Sequence, residues 1–312
     1  SLKYASPATV SRMGMIFLSV DDVDIKSISQ SWLASREENK ELTTFIDQYF
    51  TLAIERLQAI GDYVVETTTI GIVQSALSHM TNIKCKADFV MALIRGMGSY
   101  LKISDREAFA KQIYQLCGEQ PVNMRKPLDN YVSEKKLAAY DMEDAEDLSF
   151  ENLKNVPMIN TIDVQRTEDI ISPWIQNGDP FVLVGKEGVG KTMILTNAFR
   201  RCDNASVVTV HCNSQTNASQ LITKLESSCG LYSSKEGKVL RPKDGDKLII
   251  YVKDINLPRP DKYGTMQLIS FLQQLITYNG YYGSELEFIR LENIQIVASM
   301  NPSTTVGRYQ LS

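Results

Sequence analysis

From about Asp24 to Gln120 the apolar residues return every three or four positions, the period of helices with one buried face. Phe45, Tyr49, Leu52 and Ala53 form one stripe, and Ile70, Val73, Leu77 and Met80 another, so a helical bundle is expected here. Ser104 with Glu107 three residues later suits a capping box, with Phe109, Ile113 and Leu116 behind it and Gly118 past the helix end. Ahead of the bundle, Ser6-Pro7-Ala8-Thr9 leads through Arg12 into Met15-Ile16-Phe17-Leu18, patterned as a buried strand. A lone strand cannot bury itself, so its sheet partners are expected before Ser1.

Between about Arg125 and Asn155 the periodicity fades and acids gather (Glu143, Asp144, Glu146, Asp147), which reads as a connector holding one short helix. Beyond it the pattern alternates. Helices are expected near 164–175, 191–200, 218–228 and 265–278, and strands near 180–184, 206–210, 247–252 and 294–299. Such alternation builds a parallel α/β sheet. No internal repeat or low-complexity tract interrupts it.

Composition removes several function classes. At 312 residues and 43% hydrophobic, the chain can bury about two ordinary cores. Its longest apolar runs, such as Leu248 to Val252, fall well short of the roughly 20 residues of a membrane helix, and no membrane insertion is expected. A formal charge of −4 without a basic cluster argues against a nucleic-acid partner. The cysteines, Cys85, Cys117, Cys202, Cys212 and Cys229, show no CxxC spacing, and His79 and His211 are the only histidines; reduced, mostly buried thiols are expected, not a zinc site.

One motif carries chemistry. Gly185-Lys186-Glu187-Gly188-Val189-Gly190-Lys191-Thr192 matches GxxxxGK[ST] between an expected strand and an expected helix, the context a phosphate-binding loop requires. Backbone N–H groups and the helix N-terminus favour a bound anion, Lys191 reaches β- and γ-phosphates, and the Thr192 hydroxyl is a Mg²⁺ ligand. ATP or ADP with Mg²⁺ is the expected cofactor set. Such ATPases need a second strand ending in acid, and Leu248-Ile249-Ile250-Tyr251-Val252-Lys253-Asp254 is the candidate. Two registers stay open. Asp254 is either the Mg²⁺ carboxylate, with Ile255 in the water-activating place, or the water-activating acid, with Lys253 in the metal-side place. Either weakens hydrolysis. Asn301, at the end of the last expected strand, suits a γ-phosphate sensor, although Asn before Pro302 also suits a turn.

These residues carry a resemblance. The run DINLPRPDKYGTMQLISFLQQLITYNGYY from Asp254, the opening ASPATVSRMGMIFL, and ENIQIVASMN together with VKDIN resemble dynein heavy chains, closest to the intraflagellar-transport class. The resemblance implies an AAA+ P-loop large subdomain with a parallel sheet, preceded by an all-helical small (lid) subdomain. Its divisions are residues 1–22, ending a preceding large subdomain; 23–125, the helical subdomain; 126–155, the connector; and 156–312, the P-loop subdomain, which stops before its own last strand and lid. Arg12 then matches an arginine finger acting on the neighbouring module's γ-phosphate, while Asp254 and Asn301 are catalytic. The implied whole is an ATP-driven, minus-end-directed microtubule motor of cytoplasm, cytoskeleton and cilium. Its implied partners are the other AAA+ modules, microtubules reached through a stalk, intermediate and light chains, and intraflagellar-transport particles. The rival readings are another concatenated AAA+ remodeller of the midasin kind, and a structural ring segment without nucleotide.

Overall fold

The structure, a computed structural model, describes residues 6–14, 16, 24–36, 39–65, 67–142, 159–234 and 237–311. The chain divides into two units, Ser1–Glu119 and Gln120–Ser312.

The first unit is helical among its described residues: α1 (Pro7–Ser11), α2 (Ile25–Ala34), α3 (Lys40–Phe45), α4 (Thr51–Ile60), α5 (Thr69–Ser78), α6 (Lys86–Gly98) and α7 (Ile103–Cys117). Side chains of Asp24, Asn39 and Thr68 cap α2, α3 and α5 by accepting from N–H groups of the first turn. A π-turn, Ile46–Phe50, joins α3 to α4. Its wider turn resets the buried face to Leu42, Ile46, Phe50, Ala53, Ile54 and Leu57. Leu52, expected in the buried stripe, is therefore exposed. Val73, Leu77 and Met80 are buried as expected.

The expected capping box at Ser104 is not formed. Lys102 occupies the N-cap of α7 without a side-chain capping bond, and the Ser104 hydroxyl, already inside the first turn, faces Asp105 at 3.4 Å. The Arg106 guanidinium donates to the carbonyls of Gly98, Ser99 and Leu101 at 2.9, 3.1 and 3.2 Å, so the α6–α7 connection is held by a tertiary contact. Gly118 ends α7 with φ 66°, as its position suggested.

Arg12 lies exposed just past α1. Of the strand expected at Met15–Leu18, only Ile16 lies within the described residues. It is 89% exposed and outside any strand, because no described strand is there to pair with it.

The second unit opens with a hairpin, β1 (Asn130–Ser133) and β2 (Lys136–Ala139), where a connector with a short helix was expected. Glu134 and Lys135 form its two-residue loop with φ 48° and 65°, the left-handed conformations of the tight hairpin turn. Arg166 on α8 (Ile162–Asn177) holds Asp129 at 2.8 Å, and the Tyr140 hydroxyl donates to Asp169 on the same helix. Both contacts pin the hairpin to α8. The acidic residues 143–147 lie outside the described residues.

Then come β3 (Phe181–Val184), α9 (Lys191–Arg200), β4 (Ala205–His211), α10 (Ala218–Ser228), β5 (Cys229–Ser234), β6 (Gly237–Pro242), β7 (Lys247–Lys253), α11 (Gln267–Tyr278), β8 (Gly280–Tyr282), β9 (Phe288–Leu291) and β10 (Ile294–Met300). The main sheet is parallel throughout, in the order β3-β10-β7-β4. Within β7, Leu248 to Val252 are at most 2% exposed, which is why this strand reads as an unbroken apolar run. Ile249, Tyr251 and Val297 pack with Ile171 and Ile175 of α8 and with Ile194, Leu195 and Phe199 of α9. The phosphate-loop helix thus covers the same sheet face as alternate residues of β7.

A second sheet, β5-β6-β9-β8, was not expected. It unites a hairpin between α10 and β7 with another between α11 and β10, joined by a parallel pairing of Lys238–Leu240 with Ile289–Leu291.

Candidate nucleotide-binding site

Parallel strands gather their C-terminal ends at one edge, and ligands bind in the crevice beyond that edge. The loop after β3 runs there. Gly188 and Gly190 have φ 81° and 84°, a region a side chain would strain, and Gly190 is the N-cap of α9. The loop can therefore wrap an anion with its N–H groups and deliver it to a helix start.

Lys191, the first residue of α9, donates from Nζ to the carbonyls of Gly185 (2.7 Å) and Lys186 (2.8 Å) and to Asn301 Oδ1 (2.9 Å). Two residues 110 positions apart thus meet, joining the tip of β10 to the phosphate loop. Burial lowers the Lys191 pKa most; Asp254 and Glu187 oppose that shift, while Arg308 and Lys253 reinforce it. Four charged side chains therefore act on Lys191 at this edge. Thr192 follows Lys191 and is exposed at the helix start, within the loop that would hold phosphate.

At the tip of β7, Lys253 pairs in register with Ser299 of β10 and His211 of β4. Strand alternation puts Lys253 on the face of Ile249 and Tyr251, which α9 covers, and Asp254 follows in the left-handed region at φ 59°. Asn301, 3% exposed, offers its carbonyl to Asn256 Nδ2 at 2.8 Å, so it is structured on both its backbone and side-chain oxygens.

Sequence reading missed two residues. Asn256, wholly buried, accepts the Tyr309 N–H at 3.0 Å as well as donating to Asn301, and so ties the tips of β7 and β10 to the chain beyond Pro302. Arg308 places Nη1 3.0 Å from Asp254 Oδ1. An arginine after glycine in a turn-rich stretch carries no local signal; only the sheet brings it to Asp254.

The donor set suits nucleotide with Mg²⁺. The loop and Lys191 suit phosphate, and Mg²⁺ in such sites takes few protein ligands; the Thr192 hydroxyl would be the one to hold it, beside phosphate oxygens and water. Among the described residues, no cluster of three His, Cys, Asp or Glu could hold a metal by protein ligands alone.

Comparison with known proteins follows the same line. Residues 146–311, more than half of the chain, match the family model "P-loop containing dynein motor region". The chain belongs to the dynein heavy-chain family. Residues 24–117 match a second model, "Cytoplasmic dynein 2 heavy chain 1, AAA+ ATPase domain". All of the dynein chain aligns with proteins named cytoplasmic dynein 2 heavy chain 1: at 45% identity from Tripneustes gratilla, 42% from Homo sapiens and 38% from Chlamydomonas reinhardtii. It spans only 7% of the length of each of these relatives. The fold is accordingly the α/β P-loop fold of an AAA+ module with a helical region before it, and the chain is a segment of a dynein heavy chain of the cytoplasmic dynein 2 type.

Proposed function

We propose that this segment is a regulatory AAA+ module that holds ATP or ADP with Mg²⁺ and hydrolyses ATP slowly, within a minus-end-directed microtubule motor of retrograde intraflagellar transport. The names of its relatives, cytoplasmic dynein 2 heavy chain 1, support the dynein motor and its cytoplasmic setting; the ciliary setting rests on the resemblance to the intraflagellar-transport class. Its partners are then the neighbouring AAA+ modules, microtubules reached through a stalk elsewhere in the heavy chain, intermediate and light chains, and transport particles. Residues 1–22, 23–125, 126–155 and 156–312 serve as the end of one module, its helical subdomain, a connector and the next P-loop subdomain.

The observation that carries slow hydrolysis is the pair Lys253-Asp254 at the end of β7 beside Lys191. Hydrolysis requires a water oxygen to bond to the γ-phosphorus while the bridging P–O bond breaks. ADP leaves with that electron pair, and the water's proton passes to a carboxylate. Lys191 and the loop N–H groups would orient the phosphates, Asn301 the attacking water, and Asp254 would take the proton. Asp254 is one methylene shorter than glutamate, and the Lys253 ammonium lies where an anion would favour the metal. Both effects slow the step while leaving the phosphate loop intact.

The double change Lys253→Asp with Asp254→Glu tests this in the full heavy chain with its other nucleotide sites silenced. Faster ATP turnover than in the parent is expected. Equal turnover in the two proteins would refute the argument from these residues.

A further inference from the structure

We propose that Arg308 is a positioning residue that restrains the Asp254 carboxylate, so that hydrolysis at this site requires their ion pair to open. The inference rests on the nucleotide-site reading above and adds a regulatory element to it.

Three observations carry it. First, Arg308 Nη1 lies 3.0 Å from Asp254 Oδ1, an ion-pair contact without the alignment of a hydrogen bond, with the two side chains only 14% and 26% exposed. Water screens such a pair less than one on the open surface. Second, the backbone carrying Arg308 is fastened on both sides of the side chain. The Arg308 N–H donates to Thr305 O at 3.1 Å, and the Tyr309 N–H donates to Asn256 O at 3.0 Å. Asn256 in turn holds Asn301, whose side chain holds Lys191. The guanidinium is thus built into the strand tips that carry the reacting groups. Third, Asp254 sits at φ 59° immediately after β7, and its carbonyl accepts the Leu257 N–H at 3.0 Å, so its backbone has little freedom to re-aim the carboxylate.

With Oδ1 paired to Arg308, the carboxylate swings toward an attacking water only as that pair opens. The ion pair therefore acts as a brake.

The test uses the full heavy chain with its other nucleotide sites silenced, and Mg-ATP as the probe. Arg308→Gln removes the charge; kcat should rise roughly two- to fivefold, the range one partly exposed ion pair supports. KM for ATP should stay unchanged, and Arg308→Lys, which keeps the charge, should return kcat toward the parent value. If Arg308→Gln lowers the thermal midpoint, Arg308→Met, closer in volume and also uncharged, carries the measurement. Unchanged or reduced kcat in the uncharged variants overturns the brake, as does a fall in kcat joined to a rise in KM, which would make Arg308 a nucleotide-holding or folding residue. ATP titration of the parent separates the two proposals. No binding there overturns the nucleotide-site reading and the brake with it, whereas binding with unchanged kcat in Arg308→Gln overturns the brake alone.

Discussion

Lys191 shows how little a single residue says before its neighbours are known. Its place in the loop motif marks it as a phosphate-binding lysine, and the structure adds three acceptors that aim its ammonium, one of them from β10. Its lowered pKa, caused first by burial, is moderated by the nearby Asp254 and Glu187 carboxylates. Lys191→Ala removes the flexible cation of the loop. A charged contact of this kind is worth about 1.5 to 3 kcal/mol, so nucleotide affinity should fall roughly ten- to a hundredfold. Titration calorimetry with ATP measures this directly, and unchanged affinity would mean that phosphate is not bound at this loop. The cysteines belong to the same scale. Cys117, Cys212 and Cys229 are buried, and desolvation pushes the Cys212 thiol up to about 12, as expected of packing residues and not of nucleophiles.

At the scale of elements, periodicity located the helices that bury one face by themselves, though the π-turn at Ile46–Phe50 shifted the buried stripe off Leu52. The helix at Lys191–Arg200 and the helix at Ala218–Ser228 lie where the pattern placed them. It failed where pairing is remote. Strands β5, β6, β8 and β9 are short and carry Gly, Ser, Lys and Arg, so neither alternation nor an apolar run marks them; their two hairpins share one sheet through the remote pairing of Lys238–Leu240 with Ile289–Leu291. The hairpin at Asn130–Ala139 turns on Glu134-Lys135 in place of the usual Asn-Gly signal. Helix packing offers a sharper test. A Cβ at Gly96 of α6 would meet Ala76 Cα of α5 at 2.6 Å and Ser75 O at 3.0 Å, backbone that cannot step aside. Gly→Ala in a helix is otherwise favourable by about 1 kcal/mol, and the clash should outweigh it at roughly 1 to 3 kcal/mol. Gly96→Ala should therefore lower the thermal midpoint of the helical unit. Gly98→Ala is the control, since its Cβ would meet the flexible Arg106 Cγ at 3.3 Å. Equal midpoints for the two variants would mean that α5 and α6 do not depend on this close approach.

At the scale of the whole molecule, each unit has its own buried residues, and the chain spans 7% of the length of the relatives it matches. Arg12 belongs to that level. Exposed past α1, it makes sense as a finger only if a neighbouring module's nucleotide comes to it, as the dynein resemblance implies. In the assembled motor, Arg12→Ala should slow microtubule-stimulated ATP turnover severely while ATP binding at Lys191 stays intact, because a finger acts on transition-state charge. Parent-like turnover would leave Arg12 an ordinary surface arginine. By itself the sequence determined the phosphate-loop motif, the alternation of β3, α9, β4, α10, β7, α11 and β10, and the Lys253-Asp254 pair at the end of β7. All of these are written in short windows, where turn chemistry and side-chain period act within a few residues. Tertiary structure alone decided that β10 lies between β3 and β7, that Asn301 meets Lys191, that Arg308 holds Asp254, and that two separate hairpins share one sheet. Those contacts join residues far apart in the chain, and their stability comes from the packing of the sheet as a whole, which no local pattern records.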